Sequence, residues 1–141
     1  MADSIPRAYL KELTDTLAAE SLNVALFTTF TNYYQSTTTT YALLAAGGGE
    51  VANGNGYITG GVALTGKTSS NYGNNGAMLT ANASVFSSAT FSCRYAVIYN
   101  STTGKIRFVK DLLETKSVTG GTMTITWNAT SGIFNFIFTE A

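Results

Sequence analysis

Histidine is absent from all 141 residues, cysteine and proline occur once each, and only 11% of the chain is Asp, Glu, Lys or Arg, eight basic residues against eight acidic. An ordinary soluble domain carries about 25% charged residues. Each shortage removes a class of function. Without histidine, the commonest general base and metal ligand is missing. The lone thiol of Cys93 excludes an intrachain disulfide, a multi-cysteine zinc site and an iron–sulfur cluster. A net charge of zero provides no basic field for nucleic acid or anionic lipid. No apolar run approaches the roughly 18–20 residues of a membrane helix. The opening Met1-Ala-Asp-Ser-Ile-Pro-Arg7 lacks the apolar core of a secretory signal. The chain is therefore expected to be made in the cytoplasm, to hold no metal or cofactor, and to bind or build rather than catalyse.

What remains is 45% hydrophobic residues, enough for a core, in a Thr-, Gly-, Asn- and Tyr-rich background. Charge is unevenly placed. Residues 1–20 hold six charged side chains and residues 94–116 hold seven, but residues 21–93 hold just Glu50 and Lys67. This pattern suggests a helical leader over 1–20 followed by a single β domain over 21–141.

The leader has the clearest helical period. Leu10, Leu13 and Leu17 recur at three- and four-residue spacing, opposite Lys11, Glu12 and Asp15. Pro6 suits a first turn and Ser4 a cap, so a helix is expected over 6–19. Its leucine stripe would dock on its own domain or on a neighbouring subunit.

Beyond residue 21 the period falls to two. Alternating or doubly apolar runs are centred on 22–30, 58–64, 79–85, 91–99, 105–110, 122–127 and 133–138. Tyr41–Ala46 reads as a single helical turn. Asn53-Gly54, Asn55-Gly56 and Asn75-Gly76 are turn dipeptides, and Gly120-Gly121 is expected to part the segment around Val118 from the one at Met123. A small repeat adds two hairpins. Tyr99 precedes Asn100-Ser-Thr-Thr-Gly104, and Trp127 precedes Asn128-Ala-Thr-Ser-Gly132. In each, an Asn caps its own turn and a Gly accepts positive φ. These turns would pair 91–99 with 105–110, and 122–127 with 133–138. The expected fold is mainly β: an antiparallel β-sandwich or jelly-roll-like barrel of about seven or eight short strands with one N-terminal α-helix.

Gly61-Val-Ala-Leu-Thr-Gly66-Lys67-Thr68 matches the phosphate-loop pattern residue for residue. That chemistry needs an apolar strand before the glycines and a helix after them, whose amides cradle phosphate. Here Gly- and Asn-rich turns flank the motif on both sides, so a β-strand leaving a glycine bend is expected instead. Asp111 and Glu114, set between Lys110 and Lys116, read as a solvated charged turn rather than a carboxylate pair. Cys93 reads as a small buried hydrophobe, and Trp127, in phase with Met123 and Ile125, as core. The sequons at Asn82, Asn100 and Asn128 read as turn chemistry. No catalytic, cofactor-binding or metal residue is assigned.

Several segments resemble small structural proteins of tailed bacteriophages, in the same order along the chain. They are Leu22-Asn-Val-Ala-Leu-Phe27 after the leader helix, Gly54-Asn-Gly-Tyr57-Ile-Thr-Gly-Gly61-Val-Ala-Leu64-Thr-Gly, Arg94-Tyr-Ala-Val-Ile-Tyr99 and Thr124-Ile-Thr-Trp127. The likeness runs from about Leu10 to Phe138 and rests on turn and strand signatures. It implies a virion protein made in the bacterial host, in the first place a capsid decoration or cement protein. Its partners would be the major capsid protein and itself, with a trimer as the first expectation. A tail- or fibre-associated module and a carbohydrate-binding sandwich for host adhesion are the alternatives. An uncharged surface suits large dry interfaces, because no unpaired ion need be buried. Tyrosine adds contact area with a polar tip. The candidate interface residues are Leu10, Leu13, Leu17, Tyr33, Tyr34, Tyr57 and Tyr72.

Overall fold

The computed structural model describes residues 5–29, 40–128, 130 and 132–137. The chain is mainly β, 51% strand and 16% helix. Helix α1 (Arg7–Ala19) is followed by β1 (Leu22–Phe27), α2 (Tyr41–Ala46), β2 (Val62–Ala63), β3 (Thr68–Tyr72), β4 (Gly76–Thr80), β5 (Ser84–Asn100), β6 (Ile106–Ile125) and β7 (Phe134–Ile137). The strands form two antiparallel sheets, β2-β1-β5-β6 and β3-β4-β7. Neither closes on itself, so the barrel expectation is corrected. Nor are all strands short: β5 has 17 residues and β6 has 20. Two compact units result, one of Met1–Glu20, Thr65–Ala83 and Thr126–Ala141, the other of Ser21–Leu64 and Ser84–Ile125.

In the first unit α1 packs on β3, β4 and β7. Ser4 lies outside the described residues; the N-cap position is Pro6, with no side-chain cap. The buried line of the helix is Leu10 and Thr14, with Leu17 half-buried, whereas Leu13 is 36% exposed. At 100° per residue Leu13 falls to the edge of the face that Leu10 and Thr14 centre. Thr14 is tolerated inside because its hydroxyl meets Ser69 Oγ at 2.6 Å and donates to the Lys11 carbonyl at 3.0 Å. The β3–β4 hairpin turns at residues 73–75, in register from Tyr72↔Gly76 to Thr68↔Thr80.

The second expected hairpin has the right turn and the wrong partner. The Asn128 side chain accepts from Thr130 N at 2.8 Å and its carbonyl from Gly132 N at 2.9 Å. Yet β7 pairs with β4, from Leu79↔Phe134 to Gly76↔Ile137, and not with the segment before the turn. That segment is already held by β5, through Ser84↔Ile125, Val85↔Thr124 and Phe86↔Met123. Phe138 lies outside the described residues.

In the second unit β1 is central, between β2 and β5, and all of it except Asn23 is buried. Ala25, Phe27, Leu44, Val97 and Tyr99 form a core cluster against one sheet face. The first expected hairpin forms as read. Asn100 Oδ1 accepts from Thr102 N and Thr103 N, both at 2.9 Å, Gly104 takes φ 76°, and Tyr99 stands opposite Ile106. Helix α2 is also as read, with Thr40 Oγ1 capping Leu43 N at 3.3 Å.

Gly120-Gly121 does not end a strand. β6 continues through it as a bulge, since Ala89↔Gly121 and Phe91↔Val118 give β6 one residue more than β5. Gly120 takes φ 59°, and its N–H donates to Thr90 Oγ1 at 2.9 Å. The weak run 79–85 is divided, with β4 ending at Thr80 and β5 beginning at Ser84. The 58–64 run keeps two strand residues, and Ile58 is exposed.

Candidate functional site

Chemistry-bearing side chains converge around Glu50, one of the two charges in the long neutral stretch. Glu50 is set beside the end of β1 by an antiparallel bridge to Phe27, with Val51 N donating to the Leu26 carbonyl at 2.9 Å and Thr28 N to the Gly49 carbonyl at 2.7 Å. Tyr41 reaches it from the first residue of α2. Tyr57 reaches it from a two-residue Asn55-Gly56 turn, both residues at positive φ (52° and 87°), the type I′ geometry that Asn-Gly favours. A Cβ on Gly56 would lie 2.6 Å from the Ser88 carbonyl oxygen, so the turn can seat only with glycine there.

The contacts are complete. Tyr57 donates to Glu50 Oε1 at 2.7 Å, Gly60 N to the same oxygen at 2.8 Å, and Tyr41 to Oε2 at 2.7 Å. The Tyr57 oxygen also accepts from Leu26 N at 3.0 Å, which joins the knot to β1. Tyr99, at the end of β5, donates to the Gly60 carbonyl at 2.7 Å and stacks on Tyr41 with centroids 4.4 Å apart and planes 11° apart. Burial first, and then the Glu50 hydrogen bond, push the Tyr41 and Tyr57 hydroxyls well above the ordinary phenol range. Burial raises Tyr99 as well. At neutral pH the phenols are protonated donors and the carboxylate is their shared acceptor. This arrangement fixes a loop, 50–61, to two strands and a helix.

The phosphate-loop pattern has a different explanation. Thr68 opens β3, where a phosphate loop needs a helix, and the motif is split between the two units after Leu64. Gly61 is required for packing: with φ 79°, a Cβ there would meet the Val24 carbonyl oxygen at 1.8 Å. The Lys67 ammonium donates to the Glu20 carbonyl, at the C-cap of α1.

The residues expected at an interface are scattered. Leu10 is buried against its own unit, Leu13 is exposed and Leu17 half-buried. Tyr57 is 1% exposed and belongs to the Glu50 knot. Tyr72 is half-buried on β3, and Tyr33 and Tyr34 lie outside the described residues. Met123, Ile125 and Trp127 are each buried. Cys93 is fully buried on β5, and burial lifts its thiol to about 11. Asp111 pairs with Arg94 at 3.2 Å on the surface and accepts from Leu113 N at 2.8 Å, and Glu114 pairs with Lys116. Among the described residues no three of His, Cys, Asp or Glu gather in a metal-binding group, and no helix is long and apolar enough to cross a membrane.

Two features were missed in the sequence. One is the Glu50 knot, whose signal was a single acid in a neutral stretch rich in tyrosine. The other is a groove of about 450 Å³ along β6, lined by Leu112, Lys116, Val118, Met123 and Ile125 among others. It lies along a strand whose pairing with β5 is long-range, so no local pattern of residues announces it. No family model, curated protein or solved structure matches this chain.

Proposed function

We propose that this protein is a non-enzymatic structural component of a tailed-bacteriophage particle, a capsid decoration or cement protein. It would bind the major capsid protein and further copies of itself through fixed contacts. The observation that carries the reading is the Glu50 knot. The one carboxylate of the neutral stretch accepts three hydrogen bonds and serves to hold a loop rigid. A protein that works by contact needs such preorganisation, because ordering a loop on binding costs affinity. The sequence resemblance from Leu10 to Phe138 supplies the phage context, and the near-absence of charge over 21–93 suits dry interfaces. A tail- or fibre-associated module is the second reading, and it draws on the same resemblance. Carbohydrate binding has less support, since Trp127 is 5% exposed and offers no stacking face.

The test is to purify the particles made by the genome that encodes the chain, quantify the chain in them by mass spectrometry and locate it by immunogold electron microscopy. Label on heads supports the decoration role. Label on tails replaces it with the second reading, and absence from the particles overturns both.

A further inference from the structure

Asparagine before glycine is a chemically weak link, because the glycine nitrogen can attack the side-chain carbon with no β-carbon in its way. The chain has three such pairs, at Asn53, Asn55 and Asn75, and the fold treats them differently. At Asn53-Gly54 both reacting groups are engaged: Gly54 N donates to the Tyr57 carbonyl at 2.7 Å, and Asn53 Oδ1 accepts from Thr59 N at 3.1 Å. At Asn75-Gly76 the glycine is buried as the first residue of β4, paired with both Tyr72 and Ile137. At Asn55-Gly56 both residues are exposed. Neither the Asn55 side-chain amide nor the Gly56 N–H has a hydrogen-bond partner among the described residues. What holds this pair is its backbone: the Asn55 carbonyl accepts from Thr90 N at 2.9 Å, and Tyr57, the next residue, is tied to Glu50 and Leu26.

We propose that Asn55-Gly56 is a self-modification site, at which the Gly56 nitrogen displaces ammonia from the Asn55 side chain when the Glu50 knot opens, and that the isoaspartate formed keeps the loop from closing again. The Gly56 nitrogen gives up its proton and bonds to Asn55 Cγ, the Cγ–Nδ2 bond breaks, and the nitrogen leaves as ammonia with that proton. Water then opens the five-membered imide at either carbonyl, to aspartate or to isoaspartate, in which the chain runs through Cγ. Nothing is oxidised or reduced. The closed turn resists the first step. Ring closure requires Asn55 to rotate out of the left-handed well it occupies at φ 52°, which pulls its carbonyl off Thr90 N. Gly56 is wedged so closely that a Cβ on it would lie 2.6 Å from the Ser88 carbonyl oxygen and 2.7 Å from Ala89 Cα, so the rotation must lift the loop. The Glu50 knot opposes that lift, and reaction therefore proceeds from the locally open state. Isoaspartate adds one carbon to the path between Gly54 and Tyr57, which face each other across a two-residue turn, and the lengthened turn no longer matches its seat. Loop, seat and knot all lie in the unit of Ser21–Leu64 and Ser84–Ile125. The proposal is independent of the virion reading.

The experiment incubates the full chain in mildly alkaline buffer and follows conversion at all three pairs by peptide mass spectrometry, with fragmentation that separates isoaspartate from aspartate. Wild type, Tyr57→Phe and Tyr41→Phe are compared, and circular dichroism checks that each is folded. In wild type, Asn55 is expected to convert ahead of Asn53 and Asn75. Removing a hydroxyl from the knot should speed conversion at Asn55 by about five- to hundredfold, the factor by which an unmet buried donor favours the open loop. Asn75, in the other unit, should keep its wild-type rate and serves as the internal control. Wild-type chain carrying isoaspartate at position 55, separated by ion exchange, should unfold at lower urea than unreacted chain. Conversion led by Asn53 or Asn75 in folded wild type overturns the proposal. So does an Asn55 rate unchanged in both variants, or one that rises only in step with Asn75 in both, since reaction would then follow global unfolding. An unaltered urea midpoint of the isoaspartate chain overturns the claim that the loop cannot close again.

Discussion

The hydroxyl of Tyr57 lies 2.7 Å from Glu50 Oε1 and 3.0 Å from Leu26 N, donating to the first and accepting from the second. One side chain thus ties an acid from the 47–50 turn to the central strand. Tyr57→Phe keeps the ring in its contacts with Phe86 and Phe91 and leaves the Leu26 amide buried without that acceptor. The expected loss is about 1–3 kcal/mol, read as a shift in the urea midpoint at constant slope. Glu50→Ala leaves three donors unmet and should cost more than Tyr57→Phe. Equal midpoints for the two variants and wild type would mean the knot contributes nothing.

Alkaline pH should loosen the same region. Tyr41 and Tyr57 are held above the usual phenol value of about 10, chiefly by burial and next by the Glu50 bond. Above pH 10 the unfolded chain releases those protons while the folded chain retains them, so the unfolded state binds fewer protons and stability falls as pH rises. Cys93, raised to about 11 by burial, adds a loss that starts nearer pH 9. Melting temperature measured from pH 7 to 11 should hold steady and then drop, and Tyr41→Phe should flatten the drop. A melting temperature that rises through that window contradicts the assignment.

On α1 the two leucines closest to each other in sequence should behave differently. Leu10→Ala removes a buried side chain and should cost about 2–5 kcal/mol. Leu13→Ala acts at a position 36% exposed and should stay within about 0.5 kcal/mol in a dilute monomer. Chemical denaturation of both variants gives the comparison, and equal losses would show that the helix is rotated from the face described.

Lys67 should matter for the helix end rather than for nucleotide. Its ammonium meets the Glu20 carbonyl, where a cation complements the helix dipole. Lys67→Ala is expected to lower stability by about 0.5–1.5 kcal/mol and to leave titration calorimetry with ATP or GTP as flat as in wild type. Heat that appears in wild type and vanishes in the variant would restore the phosphate-loop reading.

Two glycines with positive φ allow close approach and backbone strain to be separated. Gly61→Ala drives a methyl into the Val24 carbonyl and should cost more than about 2 kcal/mol. Gly73, at φ 57°, has nothing within 4 Å, so Gly73→Ala should cost only the left-handed penalty of about 1 kcal/mol. Similar melting shifts for the two would remove the steric argument at Gly61.

Features whose cause spans a few residues were legible in the sequence. The Pro6 start and leucine period placed α1, the run Tyr41–Ala46 marked α2, and Asn100 with Gly104 closed the β5–β6 hairpin. Their free energy comes from contacts within one or two turns of chain, so residue type and spacing suffice. Only the tertiary structure decided which edge each strand took. The Asn128–Gly132 turn forms as its residues require, but β7 takes the edge of β4, while the strand before the turn pairs with β5. Gly120-Gly121 became a bulge because β5 continued to offer partners beside it. Leu13 lost its place in the core to Thr14, since a hydroxyl met by Ser69 Oγ is no longer costly to bury. Glu50 acquired its role in the same way. An acid followed by a glycine-rich loop is unremarkable along the chain, and three donors from Tyr41, Tyr57 and Gly60 surround it only after the loop has folded back on β1.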